Sequence, residues 1–215
     1  MKAITCVIFD MDGVIVNTEP IHKKAYYTTF QSLELEVSDE LYHSLTGTST
    51  INAFEKLKAH FNLDENPQDL VLQKRAAFVD LFENDPSLSL IDGVEEIIQY
   101  LYAKNITMVL ASSASMETID RVFNRFDLHK YFIATLSGAD LKKSKPHPEI
   151  FEKAAKTAST PKENCIIIED SDNGILAANR AGIYCVGYIS EHSKQQSLIN
   201  ADVVIKSFEE LKKVI

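Results

Sequence analysis

Cysteine is scarce in this chain, with three residues among 215: Cys6, Cys165 and Cys185. Each lies inside an apolar run, none has the spacing of a metal ligand, and an odd number cannot pair completely. A disulfide framework and a zinc site are therefore not expected, and the three read as buried free thiols of a reducing compartment. Long apolar runs are also missing. No stretch approaches 18 apolar residues, so no membrane span is expected. The opening MKAITCVIFD runs into acid too early for a secretion signal. The expected compartment is the cytoplasm. Positive charge is in deficit, 22 Lys and Arg against 31 Asp and Glu, for a formal net charge of −9. That argues against a nucleic-acid partner, which calls for a basic footprint. It leaves an anionic substrate open, because a bound cation or a local basic cluster can reverse the field of a pocket. A monomer is the default expectation.

What is present is an alternation. Ala3 to Phe9 is apolar and β-branched and reads as a buried strand. Further strands are read in ITMVLASS (Ile106 to Ser113), YFIATLSG (Tyr131 to Gly138), Cys165 to Ile168, IYCVGY and ADVVIKS. Helical patterns fill the intervals: DGVEEIIQYLYAKN, SMETIDRVFNRFDL, EIFEKAAKTA, ILAANRAG and a terminal FEELKKVI. Strands that are apolar throughout, separated by helices, predict a largely parallel sheet covered on both faces. One block breaks the alternation. After Pro20, placed to start a helix, the chain shows helical patterns only: Ile21 to Leu33, Asp39 to Leu45, Thr50 to Phe61 and Pro67 to Phe82. The expected organisation is an α/β core, a Rossmann-like and mostly parallel sheet built from residues 1–15 and 89–215. An all-helical cap, residues 16–88, is inserted into it.

The polar residues just past the strand ends carry the chemistry. The first strand ends in Asp10 and Asp12, the second in Ser112 and Ser113, and the fourth in Glu169 and Asp170; Lys145 precedes the fourth in KSKPHP. In a parallel sheet these groups gather on one edge, where such sheets bind ligands. Several carboxylates at close range repel one another unless a hard divalent cation such as Mg²⁺ joins them. The same cation can orient phosphate oxygens. A serine hydroxyl and a lysine ammonium suit the remaining oxygens. A carboxylate can attack phosphorus, and a second acid can protonate the leaving oxygen and then activate water.

This set resembles the haloacid-dehalogenase-like superfamily of phosphotransferases, over nearly the whole chain. The matching stretches are FDMDGV (Phe9 to Val14), LASS (Leu110 to Ser113), KSKPHPEIF and IIEDSDNG (Ile167 to Gly174), in that order. The resemblance implies Asp10 as nucleophile and metal ligand. It implies Asp12 as acid and base, with its backbone carbonyl on the metal. Asp170 is implied as a direct ligand and Glu169 as one acting through water. Ser112 and Lys145 are implied to hold the transferred phosphoryl group, cradled by the backbone N–H groups of Met11 and Asp12. The position of the helical insert is similar to that of β-phosphoglucomutase-like enzymes, sugar-phosphate phosphatases and phosphoglycolate phosphatases. Dehalogenases share it but lack the second acid of the DxD pair, so Asp12 counts against them.

Hydrolysis and phosphoryl isomerisation both stay open. His22 stands where the mutases carry a hinge histidine, and Gly47 in LTGTSTINAF matches a substrate-loop glycine. The mutases have an arginine where this chain has Thr50 and an asparagine where it has Met116. Both departures favour hydrolysis. Lys74 or Arg75, late in the insert, is a candidate contact for an anionic substrate. The expected activity is a Mg²⁺-dependent phosphatase acting on a small phosphorylated metabolite, a sugar or polyol phosphate, through an aspartyl phosphate. A β-phosphoglucomutase-like mutase is the alternative, and a non-catalytic metal- or phosphate-binding module is the rival of another kind. Hinges are expected near residues 16–18 and 88–93.

Overall fold

The first apolar run folds as β1 (Cys6–Phe9), every residue of it buried. The computed structural model describes residues 3–189 and 196–215. Five more strands follow in sequence: β2 (Thr107–Ser112), β3 (Ala134–Ser137), β4 (Cys165–Glu169), β5 (Tyr184–Tyr188) and β6 (Val203–Ile205). They form one six-stranded sheet in the order β3-β2-β1-β4-β5-β6. Every pairing is parallel. The chain thus reverses its direction of travel across the sheet at β1, the switch point at which open α/β sheets bind ligands.

Successive side chains of a strand face opposite sides, and the core divides accordingly. Val7, Phe9, Met108, Leu110, Ile166 and Ile168 pack on one face against α5 (Val94–Ala103), α6 (Met116–Arg125) and α9 (Phe208–Leu211). Cys6, Ile8, Val109, Cys165 and Ile167 pack on the other against α7 (Glu149–Thr157) and α8 (Asp172–Ala181). The register sets Phe9 beside both Leu110 and Ile168. The residues that follow, Asp10, Ala111 and Glu169, therefore reach the same edge at the same level.

Between β1 and α5 lie α1 (Glu19–Ser32), α2 (Asp39–His43), α3 (Thr50–Phe61) and α4 (Pro67–Asn84). Pro20 occupies the first turn of α1, and the side chains of Ser38, Ser49 and Asn66 cap the other three. These helices own a separate core of Tyr26, Phe30, Tyr42, Phe54, Leu57 and Leu70. The two chain crossings that join them to the sheet lie side by side. Val16 bridges Leu90, and Ile91 N–H donates to Ile15 O at 3.0 Å. Arg125 of α6 donates to the carbonyls of Phe82 at 2.8 Å and Asp85 at 2.7 Å, holding the end of α4.

Some boundaries differ from the sequence reading. The strand read from Tyr131 starts only at Ala134. The ring of Phe132 instead turns inward and meets Phe9 and Phe123 edge-on. The terminal helix is a single turn, closed at its start by a capping box of Ser207 and Glu210. Ser115 caps α6, so Ser112 is the last residue of β2 rather than a helix cap.

Candidate active site

The end of β1 builds the floor of the site. Asp10 is 7% exposed, and its N–H donates to Ile168 O at 3.0 Å. The chain then turns tightly, with the N–H groups of Ile15 and Val16 converging on Met11 O at 2.8 and 3.1 Å. Gly13 sits in the turn at φ 81°, and a Cβ there would lie 2.0 Å from Asp170 Oδ2. Both facts demand glycine. Among the described residues the backbone N–H groups of Met11 and Asp12 meet no hydrogen-bond acceptor. Adjacent unpaired donors of this kind suit phosphate oxygens.

Lys145 is the only cation within the floor cluster among the described residues. It is 1% exposed, and its Nζ donates to Asp10 Oδ1 at 2.5 Å, Glu169 Oε1 at 2.6 Å and Ala111 O at 2.9 Å. The two carboxylates hold its pKa above the usual lysine value against the opposing effect of burial. The other oxygen of Glu169 accepts from the N–H groups of Asp170 and Ser171 at 3.1 Å and from Ser171 Oγ at 2.9 Å. A Cβ on Gly174 would fall 1.9 Å from that carboxyl, so α8 approaches it only because the position is glycine.

Asp10, Glu169 and Asp170 offer oxygens that all lie within 4.8 Å of one another. Burial raises the Asp10 carboxyl most; Lys145 opposes that, Glu169 and Asp12 reinforce it, and the result is about 8. Burial, then Glu169 and Asp10, push Asp170 well above the ordinary carboxylate range. An all-oxygen, mutually repelling set of this composition fits a hard divalent cation such as Mg²⁺.

Asp12 lives in different surroundings. Its Oδ1 accepts a short hydrogen bond from Thr18 Oγ1 and lies 3.2 Å from His22 Nε2. Burial alone would raise its pKa, but His22, Thr18 and Lys74 together outweigh burial and hold it below the usual value. His22 Nδ1 lies 2.6 Å from Lys74 Nζ, and the imidazole stacks on Phe78 at 4.3 Å. Since an ammonium can only donate, Nδ1 is the acceptor and Nε2 carries the proton toward Asp12. Burial and Lys74 lower the pKa of His22 against the pull of Asp12. Lys74 is 2% exposed, its ammonium stands 4.6 Å from the ring of Tyr26, and burial lowers it to about 8.

A cavity separates the sheet edge from the helices. Asp10, Asp12 and Asp170 line its floor; Glu19, His22, Tyr26, Tyr42, His43, Gly47, Thr50 and Lys74 line the opposite side. Polar bonds span its rim. Ser113 Oγ donates to Gly47 O at 3.0 Å, Asn173 Nδ2 to Thr46 O at 2.9 Å, and Asn52 Nδ2 to Ser144 Oγ at 2.7 Å. Gly47, at φ 74°, lies so close to the core that a Cβ would meet Ser171 Oγ at 2.4 Å.

The structure therefore brings together Asp10, Met11, Asp12, Lys145, Glu169 and Asp170, with His22, Gly47, Thr50 and Lys74 facing them. Ser112 is fully buried at the end of β2, its Oγ accepting from Ala114 N–H at 3.0 Å. Arg75, the alternative to Lys74, is half-buried and does not line the cavity. Met116 packs beside β3, its sulfur 3.7 Å from Thr135 Oγ1. Residues outside the sequence reading also belong to the site, Glu19 and Tyr42 among them. Glu19 faces the cavity, and Tyr42 donates to its Oε1 at 2.9 Å. Burial and Asp12 raise Glu19 to about 7 against the hydrogen bond from Tyr42. In sequence, an acid at the start of a helix reads as a partner of the helix dipole, which conceals this role.

A family model described as haloacid dehalogenase-like hydrolase matches residues 7–188. The phosphorylated carbohydrates phosphatase of Thermotoga maritima is 29% identical over 204 residues, covering 92% of this chain and 91% of that protein. The β-phosphoglucomutase of Bacillus subtilis is 27% identical over 216 residues, covering 98% and 92%. Among solved structures, a variant of CbbY from Rhodobacter sphaeroides in complex with xylulose 1,5-bisphosphate superposes with a TM-score of 0.86 at 25% identity. That superposition covers 97% of this chain and 96% of the other.

Proposed function

The chain belongs to the haloacid dehalogenase-like hydrolase family, and from that premise we propose that it is a Mg²⁺-dependent phosphatase. Its substrate is a small phosphorylated sugar or polyol, and the reaction, phosphoric monoester hydrolysis, passes through an aspartyl phosphate. The observation that carries the reading is the unequal setting of two carboxylates. Asp10 lies on Lys145 in the buried floor, while Asp12 is held from the helical side by Thr18 and His22. Two acids held by different groups can take different roles, Asp10 toward the phosphoryl group and Asp12 toward the leaving oxygen.

Asp10 attacks phosphorus, and the bond to the leaving oxygen breaks as Asp12 delivers a proton to it. Water then attacks the phosphorus of the aspartyl phosphate, giving its proton to Asp12 and restoring the Asp10 carboxylate. His22, on Asp12, is placed to exchange a proton with it between the steps. The N–H groups of Met11 and Asp12, with Lys145 and Ser112, hold the phosphoryl oxygens. Asp10, Asp170, Glu169 and the carbonyl of Asp12 would hold Mg²⁺, which would supply neutralisation of the phosphoryl charge.

Residues 16–88 act as a cap whose hinges lie at residues 16–18 and 88–93. Closure excludes bulk water during transfer. The pairing of Val16 with Leu90 supports adjacent hinges. The protein works as a cytoplasmic monomer, with neither nucleic acid nor membrane as partner. The net charge of −9 disfavours a nucleic-acid partner, and no helix among the described residues is long and apolar enough to cross a membrane.

A panel of aryl, sugar and polyol phosphates with and without Mg²⁺ tests the reading. Metal-dependent phosphate release is expected, and its absence throughout returns the chain to a binding role. A mutase reading has one observation in its favour, the Lys74–His22–Asp12 chain at the proton carrier. Formation of glucose 6-phosphate from β-glucose 1-phosphate with a bisphosphate primer establishes it instead.

A further inference from the structure

The side of the cavity facing the acidic floor is rich in hydrogen-bond acceptors and poor in cations. Thr46 Oγ1 donates to His43 O at 2.8 Å and accepts from Gln196 Nε2 at 2.8 Å, and Thr48 Oγ1 donates to Leu45 O at 2.6 Å. Both residues line the cavity. With both protons committed to backbone carbonyls, Thr48 has its lone pairs to offer a ligand, and Thr46 only the one that Gln196 leaves. Glu19 adds a carboxylate, oriented by Tyr42 OH at 2.9 Å. Among the described residues no other side chain meets that carboxylate, so most of its accepting capacity faces the cavity. Lys74 is the only lysine or arginine lining the cavity among the described residues. Its ammonium is already engaged by His22 Nδ1 at 2.6 Å and by the face of Tyr26.

We infer that this wall selects a phosphate monoester whose body is uncharged and rich in hydroxyls, that it rejects a second phosphate, and that Glu19 is the specificity-determining residue. The inference rests on the phosphatase reading and narrows it. Hydroxyls are donors and match Glu19 and Thr48. A second phosphate dianion brings acceptors to acceptors, and it meets one engaged ammonium beside a carboxylate of its own sign. Specificity of this kind combines an attraction with a built-in repulsion. A buried acceptor left without its hydroxyl donor discriminates strongly, by one to several orders of magnitude.

The test compares three substrates with Mg²⁺ at pH 8, where Glu19 is ionised: hexitol 6-phosphate, hexose 1,6-bisphosphate and 4-nitrophenyl phosphate. For the wild-type chain, kcat/KM for the hexitol phosphate is expected to exceed that for the bisphosphate by at least about tenfold. In Glu19→Gln, which can still accept from Tyr42, kcat/KM for the hexitol phosphate is expected to fall about ten- to hundredfold further than for the aryl phosphate. The advantage over the bisphosphate should narrow at the same time. Tyr42→Phe, which frees the carboxylate to reorient, should show the same split more weakly. A wild-type preference for the bisphosphate overturns the inference. So does an equal fall on the hexitol and aryl substrates in Glu19→Gln, which marks a structural role. Loss of release from all three substrates in the wild-type chain overturns the phosphatase reading itself, an outcome distinct from either of these.

Discussion

Replacing Lys145 by alanine removes the only cation that, among the described residues, holds the buried floor together. Its ammonium touches Asp10 at 2.5 Å and Glu169 at 2.6 Å, and all three residues are at least nine-tenths buried. Breaking a buried ion pair by deleting one partner costs about 3–5 kcal/mol. A separate bound agrees. A stranded carboxylate can always take up a proton, and at pH 7 that costs about 4 kcal/mol for a group of ordinary pKa near 3.9. At pH 5 the same bound is only about 1.5 kcal/mol per carboxylate. Lys145→Ala should therefore melt about 6–20 °C below the wild-type chain at pH 7 in EDTA, at roughly 2–4 °C per kcal/mol for a chain of this size. The gap should shrink markedly at pH 5. Asp10 is already raised to about 8 with the lysine in place, so it adds little between pH 7 and 5; the pH dependence comes from the other carboxylate, which sheds its stranded charge by taking up a proton only in the variant, and the variant therefore gains relative stability as pH falls. Thermal melts of both proteins at the two pH values decide it. A gap of under about 2 °C at pH 7, or one independent of pH, would refute the reasoning that Lys145 compensates Asp10 and Glu169.

Gly174→Ala drives a Cβ into a carboxyl 1.9 Å away; a loss of about 1–3 kcal/mol is expected from overpacking, read as a fall in melting temperature together with weaker Mg²⁺ binding by calorimetry. His22→Phe removes the principal group that offsets the effect of burial on Asp12. The pKa of Asp12 should rise, and the acid limb of the kcat–pH profile, where Asp12 must be ionised to accept a proton from water, should move to higher pH; an unmoved limb detaches His22 from that step.

The sheet and its edge were legible because their signals are local and repeated. Six apolar runs became six strands, and the residues ending β1 and β4 arrive level because parallel register carries Phe9, Leu110 and Ile168 forward together. Asp10, Asp12, Lys145, Glu169 and Asp170 followed from that geometry. The opposite wall did not follow, because its members come from α1, α2, α3, α4 and the segment between α2 and α3, and no periodicity records how those helices face the sheet. Glu19 stands at a helix start, where an acid serves the helix dipole, yet its carboxylate faces the cavity and accepts from Tyr42. Lys74 and Arg75 were indistinguishable in sequence, since adjacent helix positions differ by about 100° in direction. The fold turns Lys74 inward to His22 and leaves Arg75 off the cavity. Phe132, read as a strand residue, went to the core because the bond of Ile133 N–H to Met108 O starts β3 pairing only after it.

The central claim is that Asp10 is the group that takes the phosphoryl. Phosphate release from an aryl or polyol phosphate, measured with Mg²⁺ for the wild-type chain and for Asp10→Asn side by side, tests it most directly. Steady metal-dependent release by the former and none by the latter are expected, with the two proteins giving the same far-ultraviolet circular dichroism. Turnover retained in Asp10→Asn would contradict it.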